Sequence, residues 1–224
     1  MTENNNNLPK QIFEKLLELL KRLPWMDILI DVGKFGLDFV RGYASGGIFE
    51  VLEYESTLEL HDPKGKRATF HKRQKVRYLQ NNIIAYQDQA WGDGQILLRY
   101  RCSPGKAVDR YRLGHKTHIL ISLREVKNKG DLDEFNIQWG IRDGFARPEE
   151  QWETEISHPT RSLKIRLIFP KDSHPERMVL IESDQQKTLV LGAASRTLPD
   201  GRWQVVWEKE NPRLHERYIL KWWW

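Results

Sequence analysis

The residues best suited to chemistry in this chain are basic. Lys64 to Arg77 (KGKRATFHKRQKVR) holds seven Lys/Arg and no acid, with Lys72, Arg73 and Lys75 near its centre. A second group follows. Arg99 and Arg101 alternate with Leu98 and Tyr100, and Arg110 and Arg112 alternate with Tyr111 and Leu113. The short segment Cys102-Ser103-Pro104-Gly105-Lys106 joins the two runs. Guanidinium groups take phosphate and carboxylate in a two-pronged grip, so such a cluster is built for anions. If the 102–106 loop turns the chain back on itself, the four arginines and Lys106 share one face. Residues 64–116 hold 13 basic and 3 acidic side chains, against 6 and 11 in 1–63 and 17 of each in 117–224. The overall charge of +5 therefore conceals one strongly positive block.

Half of that block has a nearer partner than any ligand. Residues 51–60 alternate Leu52, Tyr54, Leu58 and Leu60 with Glu53, Glu55 and Glu59, and Asp62-Pro63-Lys64-Gly65 is a turn signal. An antiparallel hairpin across that turn pairs Leu60 with Ala68, Leu58 with Phe70 and Leu52 with Val76. Its other face then sets Glu55 opposite Arg73 and Glu53 opposite Lys75. Opposite charges across a strand pair contribute about 0.2–1 kcal/mol each. Neutralisation is therefore expected for the first cluster, and the arginines around 102–106 are left as the anion candidate.

Other reactive residue types give less. His115 and His118 are three apart, which on a strand puts them on opposite faces and disfavours a shared metal. The lone Cys102 reads as an ordinary loop residue, and neither an internal disulfide nor a Cys-based zinc site is expected. Asp131, Asp133 and Glu134 lack the ligand spacing of a calcium loop. No phosphate-loop, dinucleotide, nucleophile-elbow or zinc-protease signature occurs. Neither a metal nor a cofactor is expected. Trp203, Val205 and Trp207 share a strand face and are expected in the core. Trp222 and Trp224 face one way and Trp223 the other, so Trp223 is free for a partner.

These residues need elements to hold them. Of 224 residues, 39% are hydrophobic and 11% aromatic, too many for a disordered chain. Residues 8–23 repeat apolar side chains at helical period, and Pro24 ends that helix. A second helix is expected over about 27–43. Its narrow aspartate-rich stripe opposes a wide apolar face carrying Ile28, Val32, Gly33, Phe35, Gly36 and Phe39. That face needs cover from the rest of the chain, a second copy or a partner. From Phe49 onward the period changes to two and turn signals recur. The expected architecture is a mainly β chain: an antiparallel β-sandwich of about 10–13 short strands, preceded by an amphipathic helical hairpin. The domains are a disordered polar start at 1–7, the hairpin at 8–46 and the sandwich at 47–224. A split of the sandwich near 126–134 is a second arrangement.

The polar start lacks a secretory n-region, and no uninterrupted apolar stretch is long enough to span a bilayer. Cytoplasmic residence is therefore expected, with contact to a membrane surface the only membrane role. The functional expectation is a non-enzymatic interaction module whose helices mediate self-association or docking to a protein partner. Two rival readings are nucleic-acid or phosphate binding through the basic region, and a membrane-acting effector that releases its second helix.

Overall fold

The computed structural model describes residues 47–171, 173–192 and 195–224. Fourteen strands run through them. The first seven are β1 (Phe49–Leu60), β2 (Arg67–Tyr78), β3 (Ile83–Ala90), β4 (Gln95–Ser103), β5 (Lys106–Leu113), β6 (Lys116–Lys127) and β7 (Leu132–Arg142). The second seven are β8 (Glu149–Glu155), β9 (Thr160–Phe169), β10 (Arg177–Glu182), β11 (Lys187–Val190), β12 (Ser195–Thr197), β13 (Trp203–Glu210) and β14 (Arg217–Trp223). The protein is mainly β. The helical hairpin, with Ile28, Val32, Gly33, Phe35, Gly36 and Phe39, lies outside the described residues. Among the described residues no helix is long and apolar enough to cross a membrane.

The strands form three sheets. The largest has the order β12-β13-β9-β1-β2-β7-β4; β11-β10-β14-β8 and β3-β6-β5 make the others. All neighbours are antiparallel except β1 and β9, which run parallel. Phe49–Trp224 is one compact unit, and β7 sits inside the large sheet between β2 and β4. The strands before and after 126–134 are thus joined in one sheet.

The β1–β2 hairpin follows the register that side-chain alternation dictates. Leu60 faces Ala68, Leu58 faces Phe70, Glu55 faces Arg73 and Glu53 faces Lys75. One expected pair fails: a register shift between Val51 and Glu53 bulges the strand, and Val51 rather than Leu52 meets Val76. Period two places Leu58, Leu60, Phe70, Val76, Phe135, Ile137, Trp139 and Leu163 on the buried face of the large sheet.

Aromatic rings connect that face to the four-stranded sheet. The Phe70 ring centroid is 4.9 Å from Trp139 and 4.8 Å from Trp152 of β8. Phe145 reaches Trp222 at 5.6 Å, and Phe169 reaches Trp222 at 5.7 Å. Rings of this size bury the most apolar area per residue, which accounts for a core built around tryptophan. Trp203 and Trp207, expected in the core, are only half-buried, packing at its margin on Phe169 and Tyr218. Trp223 faces the other way, donating its Nε1–H to Glu149 at 2.7 Å beneath the Arg177 guanidinium.

Candidate anion-binding site

The two basic groups meet different fates. Arg73 pairs with Glu53 at 2.8 Å, Glu134 at 3.1 Å and Glu55 at 3.6 Å, and Lys75 lies 3.8 Å from Glu53. Both are neutralised by their neighbours on the exposed sheet face. Lys72 is a different case. It alternates to the buried side, where its ammonium pairs with Asp88 of β3. Tyr100 donates its hydroxyl proton to the other oxygen of Asp88 at 2.9 Å. Burial alone would lower the Lys72 pKa, but Asp88 overrides it and holds the group charged. Lys72 therefore ties the large sheet to the three-stranded one and is unavailable to an external anion.

The second group divides as well. β4 pairs with β7 in the large sheet, and β5 pairs with β6 in the three-stranded one. The 102–106 segment is thus a crossing between sheets, not a hairpin. Gly105 makes the crossing possible. Its φ is +86°, and a Cβ there would stand 2.5 Å from the Ser122 carbonyl oxygen. The expected common face of four arginines is not formed, because the two runs belong to different sheets. Arg110 lies over the Tyr100 ring at 5.1 Å, and Arg112 donates from Nε to the Gly114 carbonyl at 3.2 Å. Lys106 is exposed at the start of β5, across from Ser122.

Arg99 and Arg101 gain other companions. They line a concavity of about 510 Å³ on the exposed face of the large sheet, together with Arg67 and Thr69 of β2 and Gln138 and Arg142 of β7. Gly140 lies between these walls. It pairs with Thr69 on one side and Leu98 on the other, and having no side chain it leaves a dent along β7. A Cβ at 140 would meet Leu98 at 3.4 Å.

The course of β4 is irregular at this point. Register shifts fall between Gln95 and Leu98 and between Leu98 and Arg101, and Leu97 and Arg99 adopt φ of 61° and 53°. These left-handed residues break the strand alternation, so Leu98, Arg99 and Arg101 all line the same concavity. Tyr100 is sent inward to Asp88. Each non-glycine residue held at positive φ costs on the order of 1 kcal/mol or more.

The electrostatics set this concavity apart. Elsewhere on the large sheet Arg77 and Arg161 bond Glu50, Arg166 bonds Glu55, and Arg202 bonds Glu59 and Asp200. Among the described residues Arg99, Arg101 and Arg142 have no such partner. Arg67 has only Asp62, at 3.7 Å. A second concavity of about 460 Å³ shares Arg101 and Gln138, but Glu55 and Glu59 line it as well. Among the described residues of this sheet, guanidinium groups without a carboxylate thus gather at the Gly140 end, while Arg196 of β12 stands singly at the far edge.

Sequence reasoning singled out Arg99 and Arg101 and missed Arg67, Arg142 and Gly140. Alternation along 134–141 already puts Gln138 and Gly140 on the polar side of β7. The signal for Arg142 was present, but not which strands flank it. Cys102 turns inward, and burial raises its thiol pKa, disfavouring the thiolate. His118 is bonded to Gln87 and stacked on Tyr111, while His115 lines a separate concavity beside Trp91.

No family model matches the sequence, and no curated protein is similar to it. Solved structures resemble it over part of their length. A candidate protease from Parabacteroides distasonis is 9% identical with a TM-score of 0.50, over 80% of this chain and 41% of that one. An M1 zinc metallopeptidase from Deinococcus radiodurans is 8% identical with a TM-score of 0.43, over 77% and 42%. A two-domain M1 zinc metallopeptidase mutant bound to L-tryptophan is 8% identical with a TM-score of 0.48, over the same shares. This chain spans about two-fifths of the length of the proteins it resembles. At 9% identity the likeness to the Parabacteroides structure is one of fold alone.

Proposed function

We propose that Phe49–Trp224 is a β-sandwich binding module, non-enzymatic, which takes an anionic ligand on the exposed face of its seven-stranded sheet. In this reading the large sheet is one layer and the two smaller sheets the other, supported by the Phe70, Trp139 and Trp152 rings toward the four-stranded sheet and the Tyr86 and Phe135 rings toward the three-stranded one. The observation that carries the reading is the contrast within one sheet. Arg73, Arg77, Arg161, Arg166 and Arg202 all have carboxylate partners, whereas Arg99, Arg101 and Arg142 surround a dent and have none among the described residues. Unpaired guanidinium groups held around a concave surface supply both attraction and orientation for phosphate or carboxylate.

The test is calorimetric titration of the full chain with pyrophosphate, oligoglutamate and a short oligodeoxythymidylate at low salt. At least one should bind, with affinity falling as salt rises and falling again on Arg101→Ser or Arg142→Ser. Binding by none of the three, or binding indifferent to both substitutions, refutes the site.

A further inference from the structure

We infer that the occupant of the arginine concavity is a linear chain of phosphate groups, contacted at its phosphates and not at any base; this rests on the anion-binding reading above. The spacing of the charges carries the inference. Arg67 stands directly opposite Arg142 in the β2–β7 ladder, and Arg101 stands opposite Gln138 in the β4–β7 ladder. Positions 138 and 142 are four residues apart on β7, about 13 Å at a strand rise of about 3.3 Å. Arg99, brought to the same side by its left-handed backbone, falls between them. The cations therefore stand at three levels along β7, with Arg67 and Arg142 side by side at one end, Arg101 at the other and the dent at Gly140 as the floor between.

A lone phosphate satisfies one end of this row and leaves the other uncompensated. An extended acidic peptide presents carboxylates on one side only at every second residue, about 6.7 Å apart. The end where Arg67 and Arg142 stand side by side asks for two anionic groups at one level, where an extended peptide presents one carboxylate and a flexible phosphate chain, charged at every unit, can present two. The walls are Arg, Thr, Gln and Leu side chains, and the one aromatic residue among the lining, Trp139, is buried on the opposite face at 2% exposure. Stacking, the usual grip on single-stranded bases, thus has no platform within the concavity.

The experiment titrates the full chain with inorganic polyphosphate of about a dozen units, pyrophosphate, oligoglutamate and oligodeoxythymidylate of matched length. Polyphosphate is expected to bind at least about 10-fold tighter than pyrophosphate, because both ends of the row are engaged at once. Its log affinity should fall against log salt with a slope of about 3, as about four neutralised charges require. Arg101→Ser and Arg142→Ser, at opposite ends, should each remove most of the chain's advantage over pyrophosphate. Pyrophosphate as tight as polyphosphate, with arginine dependence intact, overturns the chain and leaves anion binding standing. Oligoglutamate as tight as polyphosphate overturns the phosphate assignment, and oligodeoxythymidylate tighter than polyphosphate overturns the indifference to bases. Failure of every anion removes the underlying reading as well.

Discussion

Arg67 and Arg142 face each other across the β2–β7 ladder, two like charges at directly paired positions. Such a pair opposes folding by a few tenths to about 1 kcal/mol, the converse of the Glu55–Arg73 pair one strand away. Arg142→Thr should therefore raise the denaturation midpoint while weakening polyphosphate binding several-fold. Stability lost together with binding would mean that Arg142 is structural and that the repulsion is not felt.

Gly140 offers the complementary test. Valine suits a strand interior better than glycine, and a Cβ at 140 would meet Leu98 at ordinary contact distance. Gly140→Val should leave thermal stability unchanged or slightly higher and reduce anion binding by filling the dent. Undiminished affinity would place the ligand elsewhere on the sheet.

Lys72 and Asp88 test the join between two sheets. Removing one member of a buried pair leaves the other charged and unpaired, at a cost of about 3–5 kcal/mol. Lys72→Met should lower unfolding stability by that order in chemical denaturation. Lys72→Met combined with Asp88→Leu should recover much of the loss. Neither variant alters the exposed face, so anion affinity at a temperature where both are folded should stay as it was.

His158 sets an acid limit on stability. Its ring stacks on Phe49 at 4.3 Å, and burial pushes its pKa down from 6.5 to about 4. The unfolded chain then binds a proton more readily than the folded one between these values. Its contribution is fully present above pH about 6.5 and is lost as pH falls toward about 4. His71 and His118 are lowered by burial too and act with the same sign. Melting temperature should therefore decline over that window, and His158→Phe, which keeps the ring stack, should make the decline shallower. An unchanged slope in that variant would show that His158 is solvated.

How much the sequence revealed depends on how far apart the partners lie. The β1–β2 register was legible because a turn signal, an alternating acidic strand and an alternating basic strand are adjacent, so one pairing satisfies both the apolar and the charged face. The bulge at Leu52 was not legible, because one inserted residue leaves the composition of the strand unchanged. Arg99 and Arg101 were legible as cations on a strand. Their separation from Arg110 and Arg112 was not, since Ser103-Pro104-Gly105 reads equally as a hairpin turn or as a crossing between sheets.

By itself, then, the sequence determined a mainly β chain, the register of its first hairpin below the bulge and the neutralisation of Arg73 and Lys75. Each of these follows from local periodicity or from neighbours in the chain. Only the tertiary structure decided which cations stay unpaired. Strand order brings β7 between β2 and β4, and that one placement puts Arg142 and Gly140, from the electrically neutral stretch 117–224, beside Arg67, Arg99 and Arg101. The physical reason is that side-chain alternation fixes which face a residue takes, whereas its neighbours on that face depend on hydrogen-bonded pairing between strands distant in the chain.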